Sequence, residues 1–319
     1  MRRSWTTRLV AMSILSVLTL GLAAAKGSSP AAMAAAGTKF LESLTPEQLQ
    51  QATFAFDSDE RTHWHFIPTE TFPRNGLTIK QMTAAQRTLA HDLLKTGMSR
   101  RGYMTATQIM DLDTVLGAIE AAQRAAATQP SAARPLVRDS ERYFFSVFGT
   151  PSTHSTWGWR VEGHHVSLHF TVVNGSLVAG APTFFGANPA EVRDGPKKGT
   201  RVLGSEEDAA RALIESLDGS QREKAIITAI APNDIVTQAK VKIDPLSPVG
   251  IQSSALTGSQ RVLLRKLIDV YAGFMADDIA ADRLARIEKA GWDKVGCSPG
   301  LVHSNGARST TTACRDRRS

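Results

Sequence analysis

The feature that most constrains the fold of this chain is local. Residues 165–173 alternate apolar and polar side chains, Asn174-Gly175 follows, and residues 176–179 resume the extended pattern. Alternation around an Asn-Gly dipeptide marks a β-hairpin closed by a two-residue turn, because Asn and Gly accept positive φ at the least cost. An antiparallel sheet is therefore expected near the middle of the chain. Asn174-Gly175-Ser176 also matches a glycosylation sequon, but the turn explains these residues without a sugar.

Helices are expected on both sides of this hairpin. Thr45-Pro46-Glu47-Gln48 supplies an N-cap, a proline at the first helical position and a glutamine that closes a capping box, so a helix should run to about Phe56. A second begins at Thr83 with Gln86 and stops near Gly97, with Leu89, Leu93 and Leu94 on one face. A third should cover residues 105–127 and end in the linker TQPSAARP. Residues 142–148 (RYFFSVF) read as a strand. Further helices are expected from Ser205 with Asp208 as capping partner, from Ser220, over residues 259–273 and over residues 277–290. No internal repeat is apparent. The fold class is α+β, with helices packed around a central antiparallel sheet containing the 165–179 hairpin.

The ends of the chain differ from its middle. Of 319 residues, 42% are hydrophobic and 21% charged, which excludes bulk disorder. The net charge of +7 comes from the termini: Arg2, Arg3, Arg8 and Lys26 face no acid before residue 37, and residues 297–319 hold four arginines against Asp316. The part between is neutral, so nucleic acid is not an expected partner. Arg2, Arg3 and Arg8, the apolar stretch over residues 9–22 and Ala23-Ala24-Ala25 form an export signal over residues 1–25. Residues 26–37 read as a linker, 38–296 as one α+β domain, and 297–319 as a disordered basic tail. The product is expected outside the cytoplasm, periplasmic or extracellular, with no stable membrane span once the signal is cleaved. Cys297 and Cys314, the only cysteines, fall in the tail, where a disulfide is permitted and would stabilise little of the core.

Familiar catalytic motifs are absent, and Gly195-Pro-Lys-Lys-Gly199 reads as a solvated basic loop. Histidine remains. Five of the eight lie in two clusters, His63 and His65 in THWHF, and His164, His165 and His169 in EGHHVSLHF. If extended, His63 and His65 share one face and could chelate one metal ion. His165 and His169 lie roughly 13 Å apart along a strand and cannot share one. On that strand His165, Ser167, His169 and Thr171 should form the polar face, with His164 on the apolar one. The expected site is composite: His63 and His65 with His164 or His165, holding a divalent ion, zinc first, beside a carboxylate from Glu162 or Asp59. Metal-bound water would then act as nucleophile, with Glu162 as general base and Arg160 presenting charge to a small-molecule or anionic substrate. A plainer reading is two unrelated groups of hydrogen-bonded histidines, with a strand whose tryptophans fill the core. The alternative function is a non-catalytic extracytoplasmic binding protein, in which Arg160, Trp157 and Trp159 instead line a pocket and hold an anionic or sugar-like ligand.

RYFFSVFGTPS, WGWRVEGHHVSLHFTVVNG, PTFFGANPAEV and GTRVLGSEEDAARALIESLDGSQREKAI resemble the DUF3500 family of exported proteins, whose function is unassigned. The resemblance covers residues 40–294, and its most specific part is Gly163-His164-His165-Val166-Ser167-Leu168. It implies export and raises the expectation of a histidine-rich metal centre. It also implies that the position of His169 accepts Asn. Members continue past the last helix with strands rich in Tyr, Trp and His, whereas this chain leaves that pattern near Val295. An altered or truncated C-terminus is expected.

Overall fold

Three Thr-x-x-Gln signals and one Asp-x-x-Gln signal start helices by the same chemistry. Thr45, Thr83, Thr257 and Asp218 each accept a hydrogen bond from the backbone of the glutamine three residues on, whose side chain returns to the cap. Each box satisfies amide groups that a helix N-terminus leaves open. The computed structural model describes residues 28–128, 135–226, 228, 230, 233–235, 237–242, 250–299 and 312–315. The expected signal over 1–25 lies outside the described residues.

The first half builds α1 (Ser29–Glu42), α2 (Pro46–Ala52), β1 (Thr53–Phe54), β2 (Leu77–Thr78), α3 (Ala84–Gly97) and α4 (Arg100–Ala126). The strands β3 (Phe144–Phe148), β4 (Trp157–Gly163), β5 (Val166–Val173), β6 (Leu177–Ala179) and β7 (Thr183–Phe185) follow. The sheet runs β1-β3-β4-β5-β6, with β2 on β3 and β7 on β5. Only β1 is parallel to its neighbour among these pairings. The second half adds α5 (Gly204–Ser216), α6 (Gly219–Ala225), β8 (Ile251–Gln252), α7 (Gly258–Ala272), α8 (Asp277–Ala290), β9 (Gly296–Pro299) and β10 (Thr312–Arg315). The architecture is α+β. Among the described residues, no helix is long and apolar enough to cross a membrane.

Register fixes the two faces of the sheet. Trp157 lies opposite Val172, Trp159 opposite Phe170 and Val161 opposite Leu168, and all six join the main core with α1, α3 and α4. The intervening pairs, Gly158 with Thr171, Arg160 with His169 and Glu162 with Ser167, face the other way. No residue of β4 is exposed, so this polar face is covered as well.

Several expectations are corrected. The segment taken as a linker over 26–37 lies mostly in α1, where Met33, Ala34, Gly37 and Phe40 are buried. Small alanines hid an apolar stripe that the sheet needs. The third helix starts five residues earlier than expected, at Arg100, because Ser99 caps it by accepting from Gly102 N. α5 begins at Gly204 without a side-chain cap, so Ser205 and Asp208 do not serve there. The hairpin loop after β5 spans Asn174, Gly175 and Ser176, one residue longer than expected, since Val173 pairs with Leu177. In the expected disordered tail, β9 and β10 pair antiparallel with Cys314 opposite Cys297, β9 being held by its pairing with β8. The rest of that tail lies outside the described residues.

The largest correction is that the chain does repeat. Gln86 Nε2 donates to Ser43 O (2.8 Å) and Gln48 Oε1 (2.7 Å), while Gln48 Nε2 donates to Gln81 O (2.9 Å) and Gln86 Oε1 (3.2 Å). In the second half Gln260 Nε2 donates to Ser216 O (2.8 Å) and Gln221 Oε1 (2.8 Å), while Gln221 Nε2 donates to Ala255 O (3.0 Å) and Gln260 Oε1 (3.0 Å). Arg87 Nε reaches Met82 O at 3.2 Å as Arg261 Nε reaches Leu256 O at 3.2 Å. Gly76 (φ 125°) and Gly250 (φ 94°) both turn the chain into a two-residue strand. Ile79 N then donates to Tyr143 O (3.0 Å) as Ser253 N donates to Val295 O (2.9 Å). The run from α1 to β3 therefore recurs as the run from α5 to β9. The two units meet through equivalent residues: Met98 bridges Met275, with Ser99 N on Phe274 O (2.9 Å) and Ala276 N on Gly97 O (3.0 Å).

Candidate functional site

The polar face of β4 and β5 is covered by residues 56–76, which cross it without regular strands and are tied down by buried charge. Arg160 Nη1 donates to Glu60 O (2.9 Å) and His63 O (2.6 Å), and its Nη2 pairs with Glu60 Oε1 at 2.5 Å. Arg74 Nε pairs with Glu162 Oε1 at 2.8 Å, and its Nη2 donates to His65 O and Ile67 O, each at 2.7 Å. Glu162 Oε1 also accepts from His65 N at 3.1 Å. Arg74, Arg160 and Glu162 are 1% exposed at the side chain, and each ion is offset by an opposite charge or by carbonyls. Burial pushes the Glu162 carboxyl up, against the downward pull of Arg160 and Arg74.

This arrangement redistributes the expected catalytic pair. Arg160 and Glu162 clasp a covering segment and do not face an open pocket. His63 and His65 contribute backbone carbonyls and an amide to the same clasp, while their rings pack on Phe72 at 4.3 and 5.2 Å. The segment is not a strand, so the two rings meet at Phe72 without the strand alternation expected of them. Burial, then the charge of Arg74, holds the His65 imidazole below its ordinary pKa.

A cleft of about 220 Å3 opens on this face beside the clasp, lined in part by Arg61, Thr62, Trp64, Gly158, His169 and Thr171. Gly158 forms part of its floor, and a β-carbon there would sit 2.9 Å from Phe170 O. Arg61 is fixed at the cleft by its Nε on Phe56 O (2.9 Å) and by stacking over the Phe56 ring (4.6 Å). His169 Nε2 shares a hydrogen bond with Ser167 Oγ at 3.0 Å and lies 3.9 Å from Glu162 Oε2. Burial, with Arg160 and Arg61 nearby, holds His169 well below the usual imidazole pKa, so its ring is neutral. The cleft thus combines a fixed cation, an indole, a hydroxyl-bearing wall and a neutral imidazole.

The other two histidines occupy the opposite end of the β4-β5 hairpin. His164 and His165 form its two-residue loop between the paired Gly163 and Val166, with His165 left-handed at φ 61°. His165 is therefore not on the strand's polar face and His164 is not on the apolar one; the tight turn removes both from the alternation. The tip is pinned by His165 N on Phe66 O (2.8 Å) and Gly186 N on His165 O (2.9 Å). Gly163 makes room for Tyr143, whose ring would lie 2.3 Å from a β-carbon there. Tyr143 Oη donates to His164 O (2.8 Å) and is 3.0 Å from Asp113 Oδ2, and Asp113 Oδ1 accepts from His164 Nδ1 at 2.6 Å. Burial, with His164 and Arg138 as neighbours, holds His165 down to about 3.

A family model described as a protein of unknown function, DUF3500, matches residues 26–298. The chain belongs to the DUF3500 family. No curated protein and no solved structure matches it. Within this DUF3500 chain, no group of three or more His, Cys, Asp or Glu side chains among the described residues is placed to hold a metal ion. His63 and His65 both pack on Phe72, while His164 is committed to Asp113 at the hairpin tip. The residues present do not fit the composite zinc site. Asp113 and Tyr143 were missed as site residues because each stands on an element that looks ordinary in sequence. The signal that could have found Asp113 is a lone acid at a buried position of α4, where it is 6% exposed.

Proposed function

We propose that the chain is an exported protein that holds a small anionic or hydroxylated molecule in the cleft beside Gly158. The cleft carries the proposal: a glycine floor against fixed Arg61, Trp64, His169 and Thr171. A guanidinium held by its own Nε is pre-ordered for an anionic oxygen, which reduces the entropy lost on binding. An indole offers a flat apolar face to a sugar-like ring, and Thr62 and Thr171 can donate or accept hydrogen bonds. A neutral His169 presents a hydrogen-bonding group without adding charge. The small volume suits a monosaccharide-sized ligand better than a polymer. The apolar run over residues 9–22 behind Arg2, Arg3 and Arg8 supports export.

Metal-assisted hydrolysis at His63, His65, His164 and His165 would need at least three of these rings to converge. Nothing in their packing favours it.

Glucuronate, which joins a carboxylate to a hydroxylated ring, is the probe for a first test. Titration followed by tryptophan fluorescence should show saturable quenching, and Arg61→Ala should weaken binding about tenfold, the worth of one charge-assisted hydrogen bond. Quenching equal in wild type and Arg61→Ala would place the ligand elsewhere.

A further inference from the structure

The hairpin tip has a chemistry of its own, separate from the cleft. His164 Nδ1 donates to Asp113 Oδ1 at 2.6 Å, so the neutral ring carries its proton on Nδ1 and leaves the lone pair on Nε2. Tyr143 Oη lies 3.0 Å from the second oxygen of Asp113, close enough to share its one proton between that carboxylate and His164 O. Arg138 Nη1 lies 3.5 Å from both ring nitrogens of His164, at the long limit of a hydrogen bond, so a substrate at Nε2 would compete with a weak contact. Its Nε and Nη2 are held instead by Glu120, the latter at 2.6 Å. The ring of His165 packs on that of His164 with centroids 4.1 Å apart. The groups around the His164 imidazole are thus Asp113 and Glu120 from α4, Arg138 and Tyr143 from the segment before β3, and His165 beside it.

Two further observations favour a reactive role over a structural tie. His165 holds φ 61°, a conformation that costs a non-glycine residue free energy and that clusters at functional positions. The His164 side chain keeps 11% of its surface exposed, against 7% for Asp113 behind it.

We propose that His164 is a catalytic base whose Nε2 takes a proton from a water or substrate hydroxyl, with Asp113 as its positioning residue. In the hydrolysis of an ester, the water proton passes to Nε2 as the water oxygen bonds to the acyl carbon. The bond from that carbon to the alcohol oxygen breaks, and the leaving oxygen takes the electron pair and a proton from the imidazolium. Asp113 remains a carboxylate throughout.

The test uses the full chain and p-nitrophenyl acetate. His164→Gln should lower kcat/KM on the order of 100-fold, the usual contribution of a positioned base. Asp113→Asn should lower kcat with KM unchanged, and nitrogen NMR should show the His164 proton leaving Nδ1. Circular dichroism checks that both variants fold. Should His164→Gln not fold, diethyl pyrocarbonate on the wild type replaces it: His164 should be modified in step with loss of the rate. A His164→Gln rate equal to wild type, or a rate lost while His164 stays unmodified, overturns the proposal.

Discussion

The two repeated units share their frame and differ in what is mounted on it. Both keep a reciprocal glutamine pair, an arginine on a turn carbonyl and a left-handed glycine before the short strand. Their cores differ in bulk at matched positions: Phe40 and Ala90 of the first correspond to Leu213 and Leu264 of the second, while Leu93 matches Leu267, all buried. Asp113 and Tyr143 correspond to Ala290, at the same place relative to the helix start, and Val295. Histidine shows the same asymmetry, since residues 204–299 contain none. Polar groups retained in both units satisfy backbone that helix ends and turns leave open. Polar groups present only in the first are the candidates for chemistry.

That division can be broken most forcefully at the clasp. Arg74→Met leaves Glu162 buried beside a poorly aligned Arg160 (Nε 3.3 Å from Oε2), and should cost about 3–5 kcal/mol in urea unfolding. Hydrogen exchange should rise in residues 56–76 and in the first core while the second core stays protected. A loss spread evenly over both units would refute their independence.

The glutamines sharpen equivalence. Gln86→Ala and Gln260→Ala each strip the same set of backbone partners and should each destabilise by about 2 kcal/mol. Unfolding midpoints that differ strongly between the two variants would show that matching hydrogen bonds do not carry matching weight.

Acid should act on the β4-β5 turn through His165. Unfolded histidine binds a proton near pH 6.5, whereas His165 in the folded chain resists until about 3. Between these values the unfolded state binds more protons, so stability is complete above 6.5 and falls as pH drops toward 3. The loss from His165 is about 1.4 kcal/mol at pH 5.5, and His165→Gln should abolish it in denaturant titrations that compare pH 5.5 with a pH above 6.5. The smallest effect is expected at the caps: Thr83→Ala and Thr257→Ala should each cost about 1 kcal/mol in thermal unfolding.

Much of the frame was legible because capping boxes are short and chemically explicit: Thr45, Thr83 and their glutamines mark helix starts within one residue. The repeat was not, because its shared residues are few, its apolar positions exchange size, and the segments between matched elements differ in length. The β4-β5 alternation was legible for Trp157 and Trp159, which do fill the core. The fate of Arg160 and Glu162 was not, since nothing in a strand's own pattern reveals that residues 56–76 will cover it. His164 and His165 were recognised as a pair worth attention, but a loop formed by histidines lacks the glycine or asparagine that usually announces a turn. Asp113, three turns into α4, acquires its meaning only when Tyr143 and His164 arrive from distant sequence.

The bridge between Met98 and Met275 has one more consequence. Two units that meet through equivalent residues have the geometry of a symmetric dimer, yet here both partners belong to one polypeptide. Their association is unimolecular and does not weaken on dilution, as that of separate subunits would. Joined in this way, the halves are free to stop being identical, and a change tolerated in one is not imposed on the other.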